Sequence, residues 1–106
     1  MKYLPAMVAA MALMAGCASH YQRVQDDRVL MYLERTEAER VSLASSLDGF
    51  APREARKEGG RWVVGLPADR VFRYFYLLDG RPFVPPCRLK ERDDFGSENC
   101  IFDPRL

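Results

Sequence analysis

Histidine is almost missing from this chain. Its 106 residues hold one, His20, beside a single tryptophan, Trp62. Ser-His and Cys-His catalysis both need an imidazole held against the nucleophile, and His20 lies in a polar stretch, 18–25, that reads as a tether. Ser42, Ser45, Ser46 and Ser97 fall in no nucleophile-elbow pattern, and no glycine-rich loop is spaced to cradle a phosphate. Charge of one sign is lacking too. Sixteen basic residues face fifteen acidic ones, for a net charge of +1, which leaves no basic excess for a nucleic-acid partner. Nor is there a long apolar run. The longest block, Leu4 to Ala15, extends about 18 Å as a helix, and a bilayer core of about 30 Å needs about 20 apolar residues. A chain of this length allows one small domain.

What is present begins at that block. Lys2 precedes it and small residues end it, which matches the hydrophobic region of an export signal rather than a membrane span. Met14-Ala15-Gly16-Cys17 then resembles the lipobox of bacterial lipoproteins, with Met14 where leucine is most usual. The resemblance implies cleavage before Cys17, a diacylglycerol thioether on its sulfur and an acylated new amine. More than one acyl chain makes such an anchor stable. Ala18, with no aspartate there, implies transport to the outer membrane. Two cysteines then remain, Cys87 and Cys100, and in an oxidising periplasm they are expected to pair. They enclose twelve residues, and closing such a loop stabilises by about 3 kcal/mol on the chain-entropy estimate. A zinc site would need further thiolates or histidines, so neither a metal nor any other cofactor is expected.

Beyond the tether, Asp26 and Asp27 suit a helix start. No glycine or proline follows until Asp48-Gly49, a stop signal. Leu30, Leu33, Val41, Ala44 and Leu47 fall near one face at helical spacing, interrupted by Glu37 and Arg40. The pattern predicts one helix over 27–47, with a break near 34–39. Residues 48–60 read as a connection with a short weak strand at 53–57. Residues 61–66 read as a strand with Trp62, Val64 and Leu66 on one face. Asp79-Gly80 between apolar runs signals a hairpin, with Leu78 facing Arg81, Tyr76 facing Phe83 and Tyr74 facing Pro85. Pro82, Pro85 and Pro86 make its second arm an edge strand, and 100–102 returns as a final strand. The expected fold is α+β, one N-terminal helix packed on a small antiparallel sheet of three to four strands with one disulfide. The chain divides into a cleaved signal (1–16), a lipidated tether (17–25) and a small periplasmic domain (26–106).

Two features invite a functional reading. Asp93, Asp94, Glu98 and Asn99 gather oxygen ligands around Gly96, but not at EF-hand spacing, and a plain acidic loop accounts for them. Trp62, Phe72, Tyr74, Tyr76 and Phe83 form an aromatic set. It serves either as core, which a domain this small needs, or as a binding face, since tyrosine has one apolar and one wet end. The sequence points to an outer-membrane-anchored periplasmic lipoprotein, held to the membrane through Cys17. It would act without catalysis, binding an envelope protein as an assembly or accessory factor, with no nucleic acid and no small-molecule substrate. The alternatives are an envelope-stress or inhibitor-type lipoprotein that binds peptidoglycan or a hydrolase, and a glycan-acting enzyme using Asp94 with Glu98.

Overall fold

The computed structural model describes residues 18–106. The apolar block, the Met14–Cys17 motif and the proposed lipidation at Cys17 lie outside the described residues. The expected α+β fold is not what forms. Ten strands build two antiparallel sheets, and among the described residues the only helical element is a single 3-10 turn, Ser46–Asp48. No described helix is long and apolar enough to cross a membrane.

The strands are β1 (Ser19–Gln25), β2 (Arg28–Glu34), β3 (Val41–Ser45), β4 (Arg53–Glu54), β5 (Arg56–Glu58), β6 (Arg61–Pro67), β7 (Phe72–Leu78), β8 (Arg81–Phe83), β9 (Lys90–Arg92) and β10 (Glu98–Phe102). The first sheet has the order β1-β2-β6-β5 and the second β4-β3-β7-β10-β9. In the second, β8 and β10 share one edge of β7 end to end: β10 pairs with 72–74 and β8 with 76–78. The chain changes sheet at Ala55, between β4 and β5.

The segment expected as a helix, 27–47, is two strands and a loop. Val29, Met31 and Leu33 are fully buried in β2, as is Val41 in β3, with Leu43 nearly so. That is a period of two, which puts every second side chain on one face. Arg35, at φ 60, turns the chain between them. Glu37 and Arg40, which broke the helical stripe, lie in that loop and on no face of a helix. Asp26 and Asp27 close the β1–β2 hairpin, in which Gln25 pairs with Arg28. Asp26 takes φ 56 there, a conformation that aspartate tolerates better than most residues. The stretch expected as a tether, 18–25, carries β1, paired with β2 along all seven of its residues.

The second half of the chain follows the sequence reading more closely. Asp79 and Gly80 both have positive φ, at 50 and 83, as a two-residue type I′ turn requires. Tyr76 pairs with Phe83 and Leu78 with Arg81. Tyr74 meets Cys100 of β10 instead of Pro85. Pro82 sits in β8, which pairs with β7 alone.

The two sheets pack face to face. Val29, Met31 and Leu33 from β2 and Val64 and Leu66 from β6 meet Val41 and Leu43 from β3, Phe72, Tyr74 and Tyr76 from β7, and Cys100 and Phe102 from β10 in one cluster. Burying each such side chain contributes about 1.5–3 kcal/mol. The Cys87–Cys100 disulfide, with Cα atoms 6.0 Å apart, fastens the connection after β8 to β10 within this core. Among the described residues this cluster runs from Val29 to Phe102, with Ala18 packed against it.

Candidate functional site

The inward face of β1 carries His20, Gln22 and Val24, because these residues pair with Leu33, Met31 and Val29 of β2. His20 therefore points from the first sheet toward β7 of the second. Its Nε2 lies 2.9 Å from the Tyr74 hydroxyl, its Nδ1 3.2 Å from the Tyr32 carbonyl oxygen and 3.0 Å from the Tyr76 hydroxyl. A carbonyl oxygen can only accept, which assigns the imidazole proton to Nδ1. The Tyr74 hydroxyl then donates to Nε2, and the Tyr76 oxygen shares the Nδ1 proton.

Burial sets the protonation of this cluster. It lowers the His20 pKa from its ordinary value, and the hydrogen bond to the Tyr32 carbonyl opposes that only in part. Burial pushes the Tyr74 phenol up to about 12 and raises Tyr76 well above its ordinary value, with neighbouring Tyr74 adding to the shift. The three groups are neutral near pH 7. Both ring nitrogens are engaged, so the imidazole clasps one sheet to the other and has no free lone pair to act as a general base.

Beside the clasp a cleft of about 370 Å³ opens to solvent. His20 and Tyr74 line one side of it, with Cys87, Leu89 and Ile101 as apolar wall and Arg88 and Asp103 as its charges. Asp103 is committed to Arg105, whose guanidinium donates to both carboxylate oxygens. This pairing lowers the Asp103 pKa.

The aromatic set divides across the two sheets. Phe72, Tyr74 and Tyr76 are each 1% exposed, and they pack in sequence along β7, with ring centroids 5.8 and 6.5 Å apart. Phe83 is half-buried beside Tyr76. Trp62 stands on β6 in the other sheet, with the Lys57 ammonium 5.4 Å from its ring. Tyr74 alone of the five lines the cleft. The sequence placed His20 in a tether, outside any site. The one sequence signal is general: buried tyrosines need hydrogen-bond partners, which does not identify the partner.

In the acidic loop, the Asp93 carboxylate accepts from the backbone N–H groups of Phe95 and Ser97, each at 2.9 Å, and so holds the turn. Among the described residues no three His, Cys, Asp or Glu side chains converge as metal ligands. The chain matches no known protein family, and a search of curated proteins returns no match.

Proposed function

We propose that this protein is a lipoprotein of the outer membrane, anchored on the periplasmic side through Cys17, that binds an envelope protein as a non-catalytic assembly or accessory factor. One observation carries the protein-binding part. Among the described residues, strand β1 is the edge of its sheet, seven residues long and without proline. An unpaired edge of that length is a template for an added strand from another chain. The Cys87–Cys100 disulfide supports an oxidising compartment. The lipobox resemblance supports the anchor.

The test places a photocrosslinking residue at Val24, which is 56% exposed on β1, in cells producing the full chain. A discrete adduct at Val24, absent from the same probe at Arg81, supports strand addition. Identical adduct patterns from both positions would refute it. Fractionation of Cys17→Ala addresses the anchor separately: the variant is expected to leave the membrane fraction and to lack the acyl mass.

A second reading, a lipoprotein that binds the glycan strands of peptidoglycan, is favoured by Phe50. This residue is 38% exposed and held at φ 65, a costly conformation for a bulky side chain. Its ring stacks on Phe75 at 5.9 Å, on the outer face of the second sheet. Such a platform suits the apolar face of a sugar ring. Co-sedimentation with purified peptidoglycan, lost on Phe50→Ala, would favour it over the first reading.

A further inference from the structure

The outer face of the first sheet is built from the residues that alternate with its core positions. Tyr21 and Arg23 face outward from β1, Arg28, Leu30 and Tyr32 from β2, Arg56 from β5, and Arg61 and Val63 from β6; the register places Tyr21, Tyr32, Val63 and Arg56 in one row, and Arg23, Leu30 and Gly65 in the next. The aromatic part is preorganised. Tyr21 stacks on Tyr32 at 4.8 Å, the Arg61 guanidinium covers the Tyr32 ring at 4.8 Å, and it donates to the Tyr21 hydroxyl at 2.6 Å.

At the other end of the face the missing side chain of Gly65 matters. The Arg28 guanidinium lies over it, within 2.7 Å of where a Cβ would stand. Arg53 reaches the Gly65 carbonyl oxygen from the second sheet. Together with Arg56 they border a cleft of about 520 Å³. The nearby carboxylates are largely engaged: Glu54 with Arg40, Asp48 with Arg53 and Glu58 with Arg56. The same pairs engage Arg53 and Arg56; Glu34 is the remaining acid on the strands of this face, and Asp26 and Asp27 stand in the β1–β2 turn beside Arg28. Arg23 and Arg28 stand in no ion pair among the described residues.

We propose that this arginine-rich face lies against the anionic phospholipid headgroups of a bilayer. The charge is complementary, and guanidinium groups bind phosphate oxygens in forked pairs. Half-exposed tyrosine beside arginine suits the boundary between headgroup and water. The inference rests on the anchor reading in one respect. Ser19 opens β1 only two residues after Cys17, a reach of about 7 Å at full extension. A chain lipidated at Cys17 would hold the domain directly on the membrane, and some face of it must meet headgroups.

Residues 18–106, which carry the described core cluster and the disulfide, test the face without the anchor. The probe is sedimentation with phosphatidylcholine vesicles, with and without 30% phosphatidylglycerol by choice of composition, at roughly 0.02 M and 0.15 M salt, where screening differs strongly. Binding is expected only with phosphatidylglycerol and is expected to weaken with salt. The triple variant Arg23→Gln, Arg28→Gln, Arg56→Gln should bind on the order of 100-fold more weakly. The control Arg81→Gln, Arg88→Gln, Arg92→Gln removes the same charge elsewhere and should bind as the parent does. Thermal melts verify that each variant is folded. Arg23→Gln alone, at an exposed edge position, gives a milder series should the triple variant melt early. Equal binding to neutral vesicles, equal loss in the control, or displacement by millimolar inorganic phosphate would overturn the proposal. Acylation of Cys17 is read independently by mass, so failure of the face and failure of the anchor are distinguishable.

Discussion

His20 puts the protein's only imidazole between two buried tyrosines, and the sign of its pH effect follows. The unfolded chain has an ordinary histidine, near pKa 6.5, whereas burial lowers the folded value. As pH falls below about 6.5 the unfolded state takes up the proton first, so stability declines until the pH passes below the lowered folded value. Urea midpoints between pH 7 and 5 should show this slope, and His20→Gln should flatten it. At the alkaline end the order reverses. The unfolded tyrosines ionise near 10, before Tyr74 at about 12, so stability falls above about pH 10. Tyr74→Phe should reduce that loss. At pH 7 the same variant should cost about 1–2 kcal/mol, since it removes the donor to Nε2. A Tyr74→Phe protein with parental urea midpoints at pH 7 would contradict the assigned hydrogen bond.

Elements show where sequence patterning could be read and where it could not. The β7–β8 hairpin was legible because Asp79-Gly80 is a local instruction: two residues supply both positive φ values. Residues 27–47 were misread because their apolar positions satisfy two periods. Leu30 and Leu33 share a helical face, but Val29, Met31 and Leu33 share a strand face, and only the second sheet decides between them. Tyr21, Arg23 and Val24 gave no sign of a strand, since β1 is an edge with most of its length exposed. Of the candidate site, the disulfide could be inferred from the cysteine count together with the expected export of the chain. The clasp could not, because it joins residues 54 and 56 positions apart. The hairpin turn has a second duty. Asp79 accepts from the backbone N–H groups of Glu39 and Arg40 at 3.0 and 2.9 Å, and its own N–H donates to the Arg40 carbonyl. Asp79→Ala therefore loses the turn preference and two charge-assisted bonds together. A loss of about 2 kcal/mol is expected by urea titration, with Asp79→Asn intermediate because asparagine keeps the turn preference and one acceptor. Equal loss in both variants would show that charge, rather than turn geometry, dominates.

The described residues form a sandwich whose second sheet carries one covalent tie. The chain leaves β8 at Phe83 and returns to the sheet only at β9 and β10, and Cys87–Cys100 fixes the start of that excursion to its end. The paired change Cys87→Ser, Cys100→Ser should cost about 3 kcal/mol. For a domain of this size that is a large share of the total. Denaturant titration with and without reductant is the check. A parent whose midpoint does not move on complete reduction would argue that burial of Cys100, rather than the bond, holds β10 in place.

The position of the clasp also bears on how the fold meets mechanical load. Tension arriving from the N-terminal side enters at Ser19, where β1 has, among the described residues, β2 alone as a strand neighbour. A lone antiparallel partner is released by unzipping one rung at a time. One residue further on, His20 bonds both Tyr74 and Tyr76 in the opposite sheet. A pull on β1 therefore has to break the two His20 hydrogen bonds to the second sheet within its first rungs, and the polar trio acts as a latch on a strand that would otherwise peel from β2 alone.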